Sequence, residues 1–331
     1  MSVVYLVVGV ALLVLTVVDI LWTTLWVDGG SGPLSSRLTS WLWRGLRRLG
    51  SNRSRTLSLA GPLILTLTLV VWVAGIWGGW TLVFASGENA LVNARDASGV
   101  SWTGRIYFVA YAMFTMGNGD FYPGYGAWQI AAALTTASGM LFVTMGVSYV
   151  LSVLGAVSEK RSFASSTTGL GERSETVVGT GWDDGFRGLH LPLNSLASEL
   201  DTLATQHKAY PILHYYHSEE ATQSSAMAVA IFDEALTVLR FGVPGRDQPN
   251  TALVENARSA TENYLETLDE AFIDPSEDAP TPPDLDRVRE ANVPTVSDDE
   301  FATAVGDLDE RRRHLLGLVH SDAWQWPPRR R

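Results

Sequence analysis

The sequence predicts an all-α membrane protein carrying a further α-helical region beyond its last span, on three observations. Three long apolar runs crowd the first half of the 331 residues. Between the second and third runs lie a short apolar stretch and a glycine-rich loop, neither long enough to cross a bilayer. The second half turns acidic and shows apolar residues at helical spacing, with few strand signals.

Charge divides along the same line. The chain carries a net charge of −11, with residues 1–156 at +3 and the remainder at −14. That balance argues against a nucleic-acid partner, which needs clustered positive charge. With no cysteine in the chain, disulfides and thiolate metal sites are excluded.

The first span is read at residues 3–27. It lacks a basic leader and a small-residue cleavage site, so a retained helix is expected rather than a signal peptide. As a helix it would reach about 37 Å, enough to cross a bilayer. Asp19 lies inside it. A carboxylate at that depth needs a partner, and Thr23, Thr24 or an arginine of the next segment are candidates, most simply as a helix-docking contact.

Residues 28–58 form a basic connector. Arg37, Arg44, Arg47, Arg48, Arg53 and Arg55 face a single acid, Asp28, so this segment is expected on the cytosolic side. Leu38, Trp41, Leu42, Leu46 and Leu49 recur at helical spacing, as an amphipathic helix at the membrane surface would have them. This sets the N-terminus outside and the C-terminal region inside.

The second span is read at residues 59–84, with Trp77 and Trp80 as interfacial anchors. The third, residues 128–157, is rich in Ala, Gly, Ser and Thr, which suits close packing or a wet lining. Between them, residues 102–114 predict a re-entrant helix, and the following Thr115-Met116-Gly117-Asn118-Gly119-Asp120 cannot continue it. Irregular backbone at membrane depth is tolerated only where it is buried or lines a wet cavity.

These six residues resemble the Thr-Val-Gly-Tyr-Gly-Asp signature of potassium channels, identical at four positions, and Ile106-Tyr107-Phe108 resembles the aromatic stretch of that family's pore helix. The likeness covers roughly residues 59–157. It implies three transmembrane helices with a re-entrant pore helix and filter loop, and a tetramer, because one loop supplies a quarter of a filter. By this resemblance Thr115, Met116, Gly117, Asn118 and Gly119 form the ion filter, the carbonyls of Thr115 to Asn118 and the Thr115 hydroxyl making the ion sites, and K+ is the permeant ion, with no organic cofactor. Asp120, Tyr107, Phe108 and Tyr111 would support the filter from behind. Gly117 and Gly119 allow the positive φ that turns successive carbonyls to one axis. Asn118 stands where the family has Tyr, whose ring packs into an aromatic cuff that Asn is too short to reach.

The resemblance leaves selective and non-selective cation conduction open, beside a membrane-anchored sensor or scaffold whose pore is closed. Gly139 and Gly146 in the third span are candidates for a gating hinge, or equally for close packing. No span carries a regular array of arginines, so no voltage sensor is expected.

Residues 158–181 are read as a linker, Ser/Thr/Gly-rich from 162, and residues 182–331 as a cytosolic helical domain whose ligand the sequence does not name. Leu193, Leu196, Leu200 and Leu203 mark one helix. Met227, Ile231 and Leu236 mark another, starting near Ser218-Glu219-Glu220. Ser297 to Glu300 is a capping box leading a third through Phe301, Val305, Leu308 and Leu315. Gly169-Leu-Gly171 and Gly179-Thr-Gly181 lack the context of a dinucleotide-binding turn. His214 and His217 are a candidate metal pair. No nucleophile and base are arranged for catalysis, so no enzyme is expected.

Overall fold

The computed structural model describes residues 2–27, 30–50, 57–269 and 273–326. Its helices are α1 (Val3–Leu25), α2 (Pro33–Gly50), α3 (Ala60–Ala85), α4 (Trp102–Met113), α5 (Ala127–Leu170), α6 (Ser174–Thr180), α7 (His190–Ala209), α8 (Ser225–Thr237), α9 (Thr251–Asp269), α10 (Leu285–Glu290), α11 (Asp298–Gly306) and α12 (Asp309–Ser321). Among the described residues, two three-residue strands, β1 (Leu91–Asn93) and β2 (Phe121–Pro123), depart from the helical pattern. Helices α1, α3 and α5 are long and apolar enough to cross a membrane. The chain divides into two compact units, Met1–Gly45 with Pro62–Val153, and Leu46–Gly61 with Leu154–Arg331.

In the first unit, α1 and α3 approach closely. A Cβ on Gly9 would lie 2.8 Å from the Gly79 carbonyl oxygen and 2.9 Å from the Val83 nitrogen, so only glycine lets the backbones meet there. Asp19 is fully buried and supplies the start of α2. Its Oδ1 accepts from the backbone N–H groups of Leu34 (2.7 Å) and Ser35 (3.1 Å). Its Oδ2 accepts from the Ser35 hydroxyl (2.6 Å) and the Trp72 indole (2.8 Å). A carboxylate at a helix N-terminus faces the positive end of the backbone dipole as well as unpaired N–H groups. The docking reading of Asp19 holds, and among the described residues its partners are the N-terminus of α2, a serine and an indole rather than Thr24 or an arginine. Thr23 acts beside it, accepting from the Gly32 N–H at 2.9 Å.

In the second unit α8 is the axis of the core. Every residue from Ser225 to Thr237 is buried, and a π-helical turn, Val238–Gly242, extends it. The leucines expected on one face of α7, Leu193, Leu196, Leu200 and Leu203, are buried in this core. Two ion pairs lie with them, the first buried on both sides. Glu234 meets Arg312 at 2.7 Å, and Asp233 meets Arg311 at 2.6 Å, with Arg311 Nε also donating to both Asp233 oxygens at 3.1 Å.

The sequence reading is corrected in three places here. Residues 158–181 are not a linker: α5 runs on to Leu170, and α6 follows after three residues. Phe163, Ala164, Val177 and Val178 are buried in the core, and Phe163 meets Phe232 edge-on at 6.3 Å. Burying these side chains outweighs the weak helix propensity of their Ser, Thr and Gly neighbours. Helix α8 starts after Ser224, whose hydroxyl accepts from the Met227 N–H, not at Ser218-Glu219-Glu220. The capping serine is where it was expected, Ser297 accepting from the Glu300 N–H, but its helix ends at Gly306 and α12 begins at Asp309.

Candidate functional site

Helix α4 begins at a capped end, the Ser101 hydroxyl accepting from the Gly104 N–H at 3.2 Å. Phe108, Val109 and Tyr111 then pack into a cluster with Phe84, Ala90, Leu91 and Val100, which fixes one face of the short helix. Phe108 lies edge-on to Phe84 (5.1 Å) and to Tyr111 (5.2 Å). The two indoles expected at the membrane interface also tie helices together. Trp77 donates to the Ile106 carbonyl at 2.9 Å, tying α3 to α4, and Trp80 donates to the Ser138 hydroxyl at 2.9 Å, tying α3 to α5. The spacing of tryptophans in α3 was visible in the sequence, but their polar partners lie 29 and 58 residues away.

After Met113 the helix is released. Phe114 N–H still bonds the Ala110 carbonyl at 3.0 Å, and Met116 N–H folds back to the Tyr111 carbonyl at 2.8 Å. From Phe114 to Gly119 every residue is exposed, and Met116 is 61% so. The backbone alternates in hand. Thr115, Gly117 and Gly119 have φ of 57°, 63° and 76°, with Met116 and Asn118 between them on the ordinary side. Such alternation turns successive carbonyls toward one side of the strand. A Cβ at Gly117 or Gly119 would touch nothing within 4 Å, so these glycines answer to backbone conformation and not to crowding. Thr115 joins the alternation without being glycine, which the sequence did not signal.

The C-terminal end of the loop is stitched to its surroundings. Asn118 donates through its side-chain nitrogen to the Tyr107 hydroxyl, and Tyr107 donates to Asp120 Oδ2 at 3.3 Å. The short side chain of Asn118 is met by a tyrosine of α4. Tyr111 donates to the Phe121 carbonyl at 2.6 Å and accepts from the Phe121 N–H at 3.3 Å. The chain then leaves through β2, antiparallel to β1 with Asn93 opposite Phe121, and Ala94 N–H bonds the Asp120 carbonyl at 3.0 Å. Phe121 is the supporting residue that the sequence reading missed.

Gly139 lies where the end of α4 meets α5. A Cβ there would sit 2.1 Å from the Met113 carbonyl oxygen, so close packing accounts for this glycine. At Gly146 the nearest atom would be Leu69 Cδ2 at 3.2 Å. Helix α5 passes through both without interruption.

Of the two candidate histidines, His214 lies in the 3-10 turn Pro211–Tyr215, while buried His217 bonds Asp322 at 3.1 Å and stacks on Trp324 at 5.2 Å. Asp322 also accepts from the Ser224 hydroxyl at 2.8 Å. Burial alone would raise the Asp322 carboxyl, but His217, Lys160 and Ser224 hold it below the usual carboxylate range. Among the described residues no group of three or more His, Asp or Glu side chains is placed to hold a metal ion.

Comparison with known proteins agrees with this layout. The family pattern described as "Ion channel" matches residues 66–156, from α3 through the loop into α5. The uncharacterized membrane protein YdjJ of Bacillus subtilis (strain 168) is 42% identical over 324 residues, which cover 98% of this chain and 95% of that protein. No solved structure matches the chain. The similarity to the Bacillus protein therefore spans α1, the pore-type region and the helical C-terminal region alike, and the chain belongs to the two-helix, pore-loop ion-channel family, extended by an N-terminal apolar helix and a helical tail.

Proposed function

We propose that the chain is one subunit of a homotetrameric, potassium-selective channel that conducts K+ through backbone carbonyls of residues 115–119. The observation that carries this reading is the alternation of positive φ at Thr115, Gly117 and Gly119 in an exposed loop that follows a capped, packed short helix. A conducted ion must exchange its water shell for protein oxygens at little net cost, and four loops around one axis supply enough of them. The C-terminal end of α4, with its partial negative charge, would favour a cation below the loop. Asp120, Tyr107, Phe108 and Tyr111 would hold the loop from behind. The arginines of residues 37–55 support a topology with α2 and the tail in the cytosol and the N-terminus outside. The tail, packed by itself around α8, would regulate opening.

Purified protein in potassium-loaded liposomes should pass potassium, and barium should block the flux by occupying the same oxygens. Crosslinking in the membrane should stop at four copies. Absence of flux with the tetramer intact would sink the conduction reading in favour of a closed scaffold.

A further inference from the structure

Helix α2 carries a feature that ion conduction does not use. It is joined to α1 and α3, both able to span a membrane, and its start is clamped to the side of α1 by Asp19. Asp19 lies six residues before the end of α1, about 9 Å along the helix at 1.5 Å per residue. The first turn of α2 is therefore held at the depth of the last turns of a membrane span, at the boundary between hydrocarbon and headgroups. Ser35 and Thr39 are buried on its inner side. Arg37, Trp41 and Arg44, spaced four and three apart, share the opposite side and are exposed, Trp41 at 75%. Among the described residues no acid pairs with either arginine; Arg44 Nε bonds only the Ser40 carbonyl in its own helix, at 3.0 Å.

We propose that this face is a binding site for anionic phospholipid headgroups. An indole standing in water is costly, whereas at headgroup depth its ring meets acyl carbon and its N–H meets ester or phosphate oxygen. A guanidinium one turn to either side presents a planar fork to the two oxygens of a phosphodiester. Two unpaired positive charges favour a lipid with net negative charge over a zwitterionic one, whose choline cancels its phosphate. The occupant is a lipid rather than a soluble phosphate, because the ring between the two cations answers to acyl chains and not to an ion. The site stands on the geometry of α1 and α2 and is independent of what the pore conducts.

The test is lipid retention by the full-length protein in a non-ionic detergent, read by native mass spectrometry with phosphatidylglycerol against phosphatidylcholine. The wild type should retain phosphatidylglycerol preferentially. R37Q/R44Q should lose about thirtyfold of that preference, at roughly fivefold per arginine near an anionic surface, while R37K/R44K keeps most of it. In liposomes, the fluorescence difference between wild type and W41F should be quenched by brominated phosphatidylglycerol more than by brominated phosphatidylcholine. An unchanged preference in R37Q/R44Q, or a Trp41 signal indifferent to headgroup charge, overturns the proposal. So does equal competition by glycerol phosphate, which would make the ligand a soluble anion.

Discussion

The side-chain amide of Asn118 donates to the hydroxyl of Tyr107, and the same hydroxyl donates to Asp120 Oδ2. One tyrosine of α4 thus joins the second and last residues of the stretch from Gly117 to Asp120 that it backs. A tyrosine at position 118 would carry its own ring to the scaffold; here the ring stands on the scaffold and the short side chain stands in the loop.

That arrangement predicts the effect of Y107F. The ring and its edge-on contact with Tyr111 (5.2 Å) remain, while Asn118 loses its acceptor and Asp120 its donor. A lost hydrogen bond of about 1 kcal/mol corresponds to about a fivefold change in equilibrium. The permeability ratio of potassium to sodium should fall by about that factor, measured in planar bilayers, with expression and assembly unchanged. An unaltered ratio would show that Tyr107 does not hold the loop.

Substitution at Gly117 should be felt through the backbone alone. Its φ is 63° and an added Cβ meets no atom within 4 Å. Holding an L-residue in this conformation costs about 1–2 kcal/mol, and the loop should relax away from the alternating form. Flux through G117A should drop tenfold or more while proteolytic stability of the tail stays the same. Full flux in G117A would mean that the alternation is not needed for conduction.

Asp19 gives a stability prediction within the first unit. D19A leaves the N–H groups of Leu34 and Ser35 and the Trp72 indole without their acceptor in a buried place. The loss should be about 3–5 kcal/mol, seen as a lower melting temperature in detergent. D19N keeps one carbonyl oxygen and should lose less, about 1–2 kcal/mol.

The tail should show two opposed pH dependences. Burial raises Glu234 to about 7, with Arg312 only partly offsetting it. An acid raised from 4.5 stabilises the fold below 4.5, and this contribution is lost as pH rises to about 7. Burial, aided by Lys160, lowers His207 to about 3, although its ring donates to the Leu203 carbonyl. A base lowered from 6.5 stabilises the fold above 6.5, and this contribution is lost as pH falls toward 3. Between 4.5 and 6.5 the two should cancel. Hydrogen exchange of α8 and α9 in the full-length protein should therefore vary little across that window. E234Q should uncover weaker protection on acidification, and H207F weaker protection on alkalinisation. Parallel behaviour of both variants would contradict the assignment.

How far the sequence could be read follows from where partners lie along the chain. Spans, the short helix and the glycine-rich loop were legible, because apolar length and two glycines in four residues are local properties. The partners of Asp19 were not, since Trp72 is 53 residues distant and the N–H groups of α2 carry no residue type. The stretch from 158 to 181 was misread because its Ser, Thr and Gly outnumber the few large side chains, Phe163 and Val177 among them, that bury it. Asn118 looked stranded because Tyr107, 11 residues before it, could be placed against it only once α4 and the loop were folded together.

The central claim is that carbonyls of residues 115–119 replace water around potassium in preference to sodium. A reversal potential recorded across a bilayer with potassium on one side and sodium on the other tests it most directly. The account predicts a potential close to the potassium equilibrium value, and a reversal near zero would contradict it.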